Sequence, residues 1–262
     1  AIGIGWAVLL PLLVRIAQRL EAEPRQPRGR NMPAMKRAAL AASVIAVSIV
    51  LTALNPASAD NRRAEWDFEV YLNDKPIGFH TFSVTGDQDQ QILRTEAQFD
   101  VKLLFINAFR YRHDNTETWR DGCLQSIEAT TDNNGDLLSV RGQRYDDALQ
   151  LTAQSGRRAV DDCVQTFAYW NPDILRASRL LNSQTGELED VSVTMESGDA
   201  IEVNGDTVQA IRYRLFAKSG AITLWYSNDE SRRWLALEAP AKGGRTIRYV
   251  PVKIPAAADL VA

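Results

Sequence analysis

The chain has 262 residues, 45% of them hydrophobic, with Lys+Arg 30 against Asp+Glu 33. The charge is unevenly spread, because the stretch before Asp60 holds seven basic and two acidic residues and the remainder holds 23 and 31. An acidic body repels polyanions and shows no Lys/Arg cluster interleaved with aromatics, so nucleic acid is excluded as the expected partner.

In chain order, the first feature is an apolar run from Ala1 to Ile16, followed by the arginine- and proline-rich stretch Arg19 to Arg30. A membrane segment ahead of a signal peptide makes little physical sense, so residues 1–31 are expected to precede the true start at Met32 or Met35. Gly3-x-Gly5 has neither a third glycine nor a βαβ context and is not read as a phosphate loop. Then come Met35-Lys36-Arg37, the apolar run Ala38 to Leu54, and Asn55-Pro56-Ala57-Ser58-Ala59. A basic start, a hydrophobic middle and small residues at minus three and minus one make a secretory signal. Residues 32–59 are therefore expected to be cleaved between Ala59 and Asp60, with Ala57 at minus three. The competing reading is an uncut membrane anchor. No cysteine stands beside the cleavage site, so a lipid-modified terminus is not expected. The expected location is the periplasm, with no membrane span after processing.

Residues 60–250 read as one mainly β domain. From Trp66 the pattern has period two, broken by turn chemistry about every ten residues, as in an all-β meander, sandwich or barrel. Strands are expected over Trp66–Tyr71, Ile77–Val84, Ile92–Val101, Phe109–Trp119, Cys123–Thr131, Leu137–Tyr145 and Ala148–Gln154. Asn171-Pro172-Asp173 supplies a cap, a first-turn proline and a first-turn acid, which predicts a short amphipathic helix through Leu181. Strands resume over Val191–Met195, Ala200–Val203, Thr207–Phe216, Ala221–Ser227, Trp234–Ala239 and Arg245–Val250, with a hairpin signal at Asn204-Gly205. The Ala/Pro-rich residues 251–262 are expected to be a flexible tail. About a dozen antiparallel strands with one inserted helix can form a curled sheet, half-barrel or barrel, or a two-sheet sandwich. The curled sheet, with the helix on its concave face, is the expectation carried forward.

Cys123 and Cys163 are the only cysteines. In an oxidising compartment a single pair most often bridges, and a spacing of forty residues does not suit a C-x-x-C redox couple. A structural disulfide is expected.

Trp66-x-Phe-x-Val-x-Leu with Ile77-Gly78-x-His80, Phe167-Ala168-Tyr169-Trp170-Asn171-Pro172, Arg179-Leu180-Leu181-Asn182, Val203-Asn204-Gly205 and Leu224-Trp225-Tyr226-Ser227 form an identifying set. Together they resemble a family of exported proteobacterial proteins known only as a domain of unknown function, with a looser similarity to other exported β domains of unknown function. The resemblance spans Trp66 to Val250 and implies export and a shared β fold. It implies no activity.

No catalytic constellation stands out. His80 and His113 are the only histidines, too few for a zinc site once the cysteines pair with each other. His113-Asp114 suggests a triad, but neighbours in a strand face opposite ways. No G-x-S-x-G elbow is present. Asp146-Asp147 and Asp161-Asp162 read as solvated turns. Asp132 to Asp136 departs from a calcium loop, since its glycine is in the fourth position and Gln143 stands where a bidentate Glu belongs. No metal or cofactor is expected.

The group Phe167, Tyr169 and Trp170 places three rings in four residues, more than one face of a single strand can bury. With Ile174 of the predicted helix, these are the candidate ligand-binding residues, the alternative being that the segment packs as ordinary core. The functional expectation is an exported protein binding an apolar or lipid-like small molecule on the concave face of the sheet. A non-catalytic assembly partner in the envelope and a hydrolase using His113 with a carboxylate are the alternatives.

Overall fold

A computed structural model describes residues 62–260 apart from 88, 104 and 105. The expectations for residues 1–59, with Ala57, Ala59 and the cleavage at Asp60, lie outside the described residues.

Tight turns join most of the strands. The first eight are β1 (Arg62–Leu72), β2 (Lys75–Gly86), β3 (Gln91–Leu103), β4 (Ile106–Arg120), β5 (Cys123–Asn133), β6 (Asp136–Tyr145), β7 (Ala148–Ala153) and β8 (Gly156–Asp161). The last six are β9 (Arg179–Leu181), β10 (Leu188–Val203), β11 (Asp206–Ala217), β12 (Gly220–Ser227), β13 (Trp234–Ala241) and β14 (Arg245–Lys253). All fourteen belong to one antiparallel sheet in the order β8-β7-β6-β5-β4-β3-β2-β1-β14-β13-β12-β11-β10-β9. Two meanders are thus joined where the first strand meets the last. The sheet is curled but not closed, since β8 and β9 stand at its two ends without pairing to each other. At the Asn133-Asn134-Gly135 and Asn204-Gly205 turns, positive φ at Asn134, Gly135, Asn204 and Gly205 gives the twist that hairpins need. Asp132 accepts a hydrogen bond from the Gly135 amide at 2.7 Å and pairs with Arg110, so this loop is a hairpin tip.

The inner face carries the main core. Along β1, Ala64, Trp66, Phe68, Val70 and Leu72 all point inward and are buried, as are Tyr213 and Leu215 of β11, Leu224 and Tyr226 of β12 and Ile247 and Tyr249 of β14. A second, small cluster of Ala210, Trp225, Leu235 and Ala236 is covered by Ile201, Val208 and Ile254. This explains why β12 is buried at nearly every residue, with no polar face to alternate.

Three expectations need correction. The predicted helix is a single 3-10 turn over Pro172–Arg176, capped by the Asn171 side chain, and the chain then enters β9. Leu180 and Leu181 are fully buried, and Leu181 donates its amide to Gln165, so sheet pairing wins over helical periodicity there. The two strands expected over Val191–Met195 and Ala200–Val203 are one strand, β10, with an irregularity between Met195 and Gly198. Arg157-Arg158, without an apolar face, hid β8 from the sequence pattern. Beyond β14, Ile254 and Leu260 pack against the core and Ala257–Asp259 make a second 3-10 turn.

Between β8 and β9 the chain doubles back through the concave face. Val164 accepts a hydrogen bond from the Leu124 amide of β5 at 2.9 Å, and Thr166 forms an isolated parallel bridge with Leu181. Residues 163–176 are referred to below as the plug. The Cys123–Cys163 disulfide ties its start to β5, with an S–S distance of 1.99 Å.

Candidate functional site

The plug is enclosed by sheet on both sides, which is how Phe167, Tyr169 and Trp170 can all be buried, at 7, 4 and 8% exposure. Tyr169 packs against Trp234, and its carbonyl accepts a hydrogen bond from the Tyr226 hydroxyl at 2.7 Å. Trp170 meets Trp119 edge to face at 5.9 Å. Ile174 is buried in the core.

Three spaces lie beside the plug, one of them of about 520 Å³ between Cys163, Val164, Gln165 and Arg176 of the plug and Arg179, Leu188 and Asp190; the other two follow each other along the inner face. The outer one is a cleft of about 480 Å³ at one end of strands β1 to β4, lined by Ala64, Trp66, Val84, Trp119 and Trp170 within and by Arg120, Asp121, Asp173 and Glu230 at its rim. The inner one is a small cavity of about 30 Å³ lined by His80, Thr95, Tyr111, His113, Asn115, Glu117, Tyr169 and Tyr249 among others. Of the four candidate residues, Phe167 and Tyr169 line the cavity, Trp170 lines the cleft and Ile174 lines neither.

One stretch of the cavity wall is polar because alternate residues of β4 bring Tyr111, His113, Asn115 and Glu117 to one face, while Phe82, Leu93, Ala97, Phe167 and Ala168 make other parts of the lining apolar. Three donors converge on the Glu117 carboxylate: Asn115 Nδ2 at 2.9 Å, Trp119 Nε1 at 2.9 Å and the Thr166 hydroxyl of the plug at 3.1 Å. Burial nevertheless raises its pKa to about 6 against the pull of those bonds. Burial also lowers His113 to about 4, opposed by a backbone hydrogen bond with Thr130. His80 falls well below the usual range through burial and then through the nearby His113 charge. Both imidazoles are therefore neutral at pH 7, His113 bonded to the Thr131 hydroxyl at 2.9 Å and His80 to the Tyr249 hydroxyl at 3.0 Å. Three polar atoms of the lining have no partner: His80 Nε2, Asn115 Oδ1 and the Tyr169 hydroxyl.

Asp114 is exposed on the face opposite His113, so the two do not form a dyad. Asp146 sits in a turn with positive φ, and Asp162 in the bend after β8. No group of three or more His, Cys, Asp or Glu suited to a metal occurs among the described residues.

The sequence pattern missed Asn115, Glu117 and Tyr249 as lining residues. The signal was present in β4, where Arg112-His113-Asp114-Asn115-Thr116-Glu117 is polar on both faces. A strand with no apolar face in its middle has to bury polar groups somewhere.

The fold and these spaces define a β-barrel-like protein with a plugged, partly polar interior. Residues 68–252 match the family model of a domain of unknown function (DUF6134), and the chain belongs to that family. Among solved structures, the crystal structure of a β-barrel-like protein of domain of unknown function DUF1849 from Brucella abortus is similar. That protein is 13% identical, with a TM-score of 0.50 over 74% of this chain and 97% of its own. At that identity the likeness shows the fold alone. No curated protein matches the chain.

Proposed function

We propose that this is a non-catalytic binding protein of the bacterial cell envelope, taking an apolar or lipid-like molecule on the concave face of its curled sheet through the end cleft. The observation that carries this reading is the cleft itself. Its volume of about 480 Å³ is in the range of small-molecule sites, and its inner wall is built from Ala64, Trp66, Val84, Trp119 and Trp170. The disulfide and the lack, among the described residues, of a helix long and apolar enough to cross a membrane are compatible with export. The neutral, enclosed histidines support binding over hydrolysis, because each is engaged by a Tyr or Thr hydroxyl with no carboxylate orienting it.

The test uses the neutral apolar dye N-phenyl-1-naphthylamine and the Trp170→Ala variant, with urea midpoint and dye affinity measured on the same samples. The wild type binds the dye, and the variant binds it about tenfold more weakly than its folded fraction predicts, as expected when about 1.4 kcal/mol of contact is lost. Binding that falls only in step with the unfolded fraction, alongside a core-type loss of about 3 to 5 kcal/mol, would leave Trp170 as ordinary packing and overturn the reading.

A further inference from the structure

The cleft and the cavity are consecutive segments of one track along the inner face. On β2, His80 and Phe82 line the cavity and Val84 lines the cleft; on β3, Ala97, Thr95 and Leu93 line the cavity and Gln91 the cleft. On β4 the series passes from Glu117 to Trp119, and on the plug from Tyr169 to Trp170. Each strand crosses from one space to the other at successive residues of the same face. The perpendicular Trp119–Trp170 pair stands at that crossing.

The outer segment has an apolar inner wall of Ala64, Trp66, Val84, Trp119 and Trp170 and a charged rim. The inner one ends in three polar atoms without partners, two of them on side chains more than nine-tenths buried, Asn115 at 6% and Tyr169 at 4% exposure. Leaving a buried polar atom unpaired is costly, so a cluster of three around one cavity marks a place where a hydrogen-bonding group fits. With Tyr249 on Nδ1, His80 can offer Nε2–H, Asn115 offers an acceptor, and the Tyr169 hydroxyl serves either way.

We propose, building on the binding reading above, that the ligand is a single-chain amphiphile with an uncharged hydrogen-bonding head, such as a primary amide or alcohol. The head reaches His80, Asn115 and Tyr169 past the Trp119–Trp170 pair, and the chain lies in the cleft. An anionic head is disfavoured because both histidines are held neutral and Glu117 would repel it, and a quaternary ammonium head is disfavoured because it has no hydrogen bond to give or accept and finds the Glu117 oxygens already taken by three donors. The cavity has room for the head alone, with about 30 Å³, so the chain has to remain outside.

The test is calorimetric titration of the full exported protein with octanamide, octyl sulfate and octyltrimethylammonium below their aggregation limits, on wild type, Tyr169→Phe and His80→Phe. Octanamide binds tightest, by about tenfold or more, and Tyr169→Phe weakens octanamide alone by about tenfold, the worth of one buried hydrogen bond. Because that variant removes only an unpartnered hydroxyl, its urea midpoint stays the same or rises. His80→Phe keeps the ring stack on Phe82 and shows the same selective loss. Equal affinities for the three heads, unaffected by either substitution, overturn the inner head site and leave the cleft reading standing. No binding of any octyl compound overturns both.

Discussion

Glu117 is the residue on which the plug and the wall of the sheet both depend. Its carboxylate accepts from Asn115 and Trp119 on its own strand and from Thr166 on the plug, so one side chain fastens two elements. An amide could not do the same, since a Gln has a single acceptor oxygen and would turn an NH2 toward at least one of the three donors. Glu117→Gln is therefore expected to destabilise the protein by about 1 to 3 kcal/mol. The pH dependence adds a second signature. With the folded pKa raised from 4.5 to about 6, this group contributes stability that is full below pH 4.5 and is lost as pH rises through 6. The gap between wild type and Glu117→Gln should thus shrink by about 2 kcal/mol from pH 4.5 to pH 8, as 1.36 kcal/mol per pKa unit requires. Urea midpoints of the two proteins at both pH values check this, and a gap that widens with pH would show the carboxylate to be stabilised when charged.

At the level of elements, strands announced by alternation and turn chemistry were legible, and those set by tertiary pairing were not. Asn204-Gly205 marked a hairpin that the structure contains between β10 and β11. By contrast, Arg179-Leu180-Leu181 carries nothing that marks a strand, and it becomes one only because β10 and the plug offer it partners on either side. The cavity was illegible for the same reason. His80, Asn115 and Tyr169 come from a strand, a strand two places away in the sheet, and the plug, and no periodicity says which strands adjoin. The plug is held at its start by the Cys123–Cys163 bridge across a sequence separation of 40 residues. On the chain-entropy view, closing such a loop contributes about 3 to 4 kcal/mol by constraining the unfolded chain. Replacing both cysteines with Ala should lower the unfolding free energy by about that amount. Alkylation of native, unreduced protein should label neither residue. Two labelled thiols, or a double variant as stable as the wild type, would show that the plug is held by its packing alone.

The whole molecule reads as a sheet that closes over its own chain in place of a second sheet, and the consequence is a core with titratable groups inside it. Two of these groups oppose the third as pH falls. His113, depressed from 6.5 to about 4 by burial, contributes stability that is present above 6.5 and is lost as pH drops toward 4; His80, depressed for the same reason, acts in the same direction. Glu117 acts the other way, returning stability as it takes a proton near pH 6. Between pH 7 and pH 5 the linkage relation gives a loss of about 2 kcal/mol from His113 and a return of about 1 kcal/mol from Glu117, so the return offsets only part of the loss. His80, lowered in the same direction as His113, adds to the loss. Unfolding free energy is accordingly expected to be lower at pH 5 than at pH 7 in the wild type, and to fall further still in Glu117→Gln, which lacks the return. Urea denaturation at the two pH values measures both slopes. Stability that is flat or rising toward pH 5 in the wild type would mean that protons reach the histidines without disturbing the fold. The interior beside the plug would then be wet and open, not the enclosed, low-polarity space that holds them neutral.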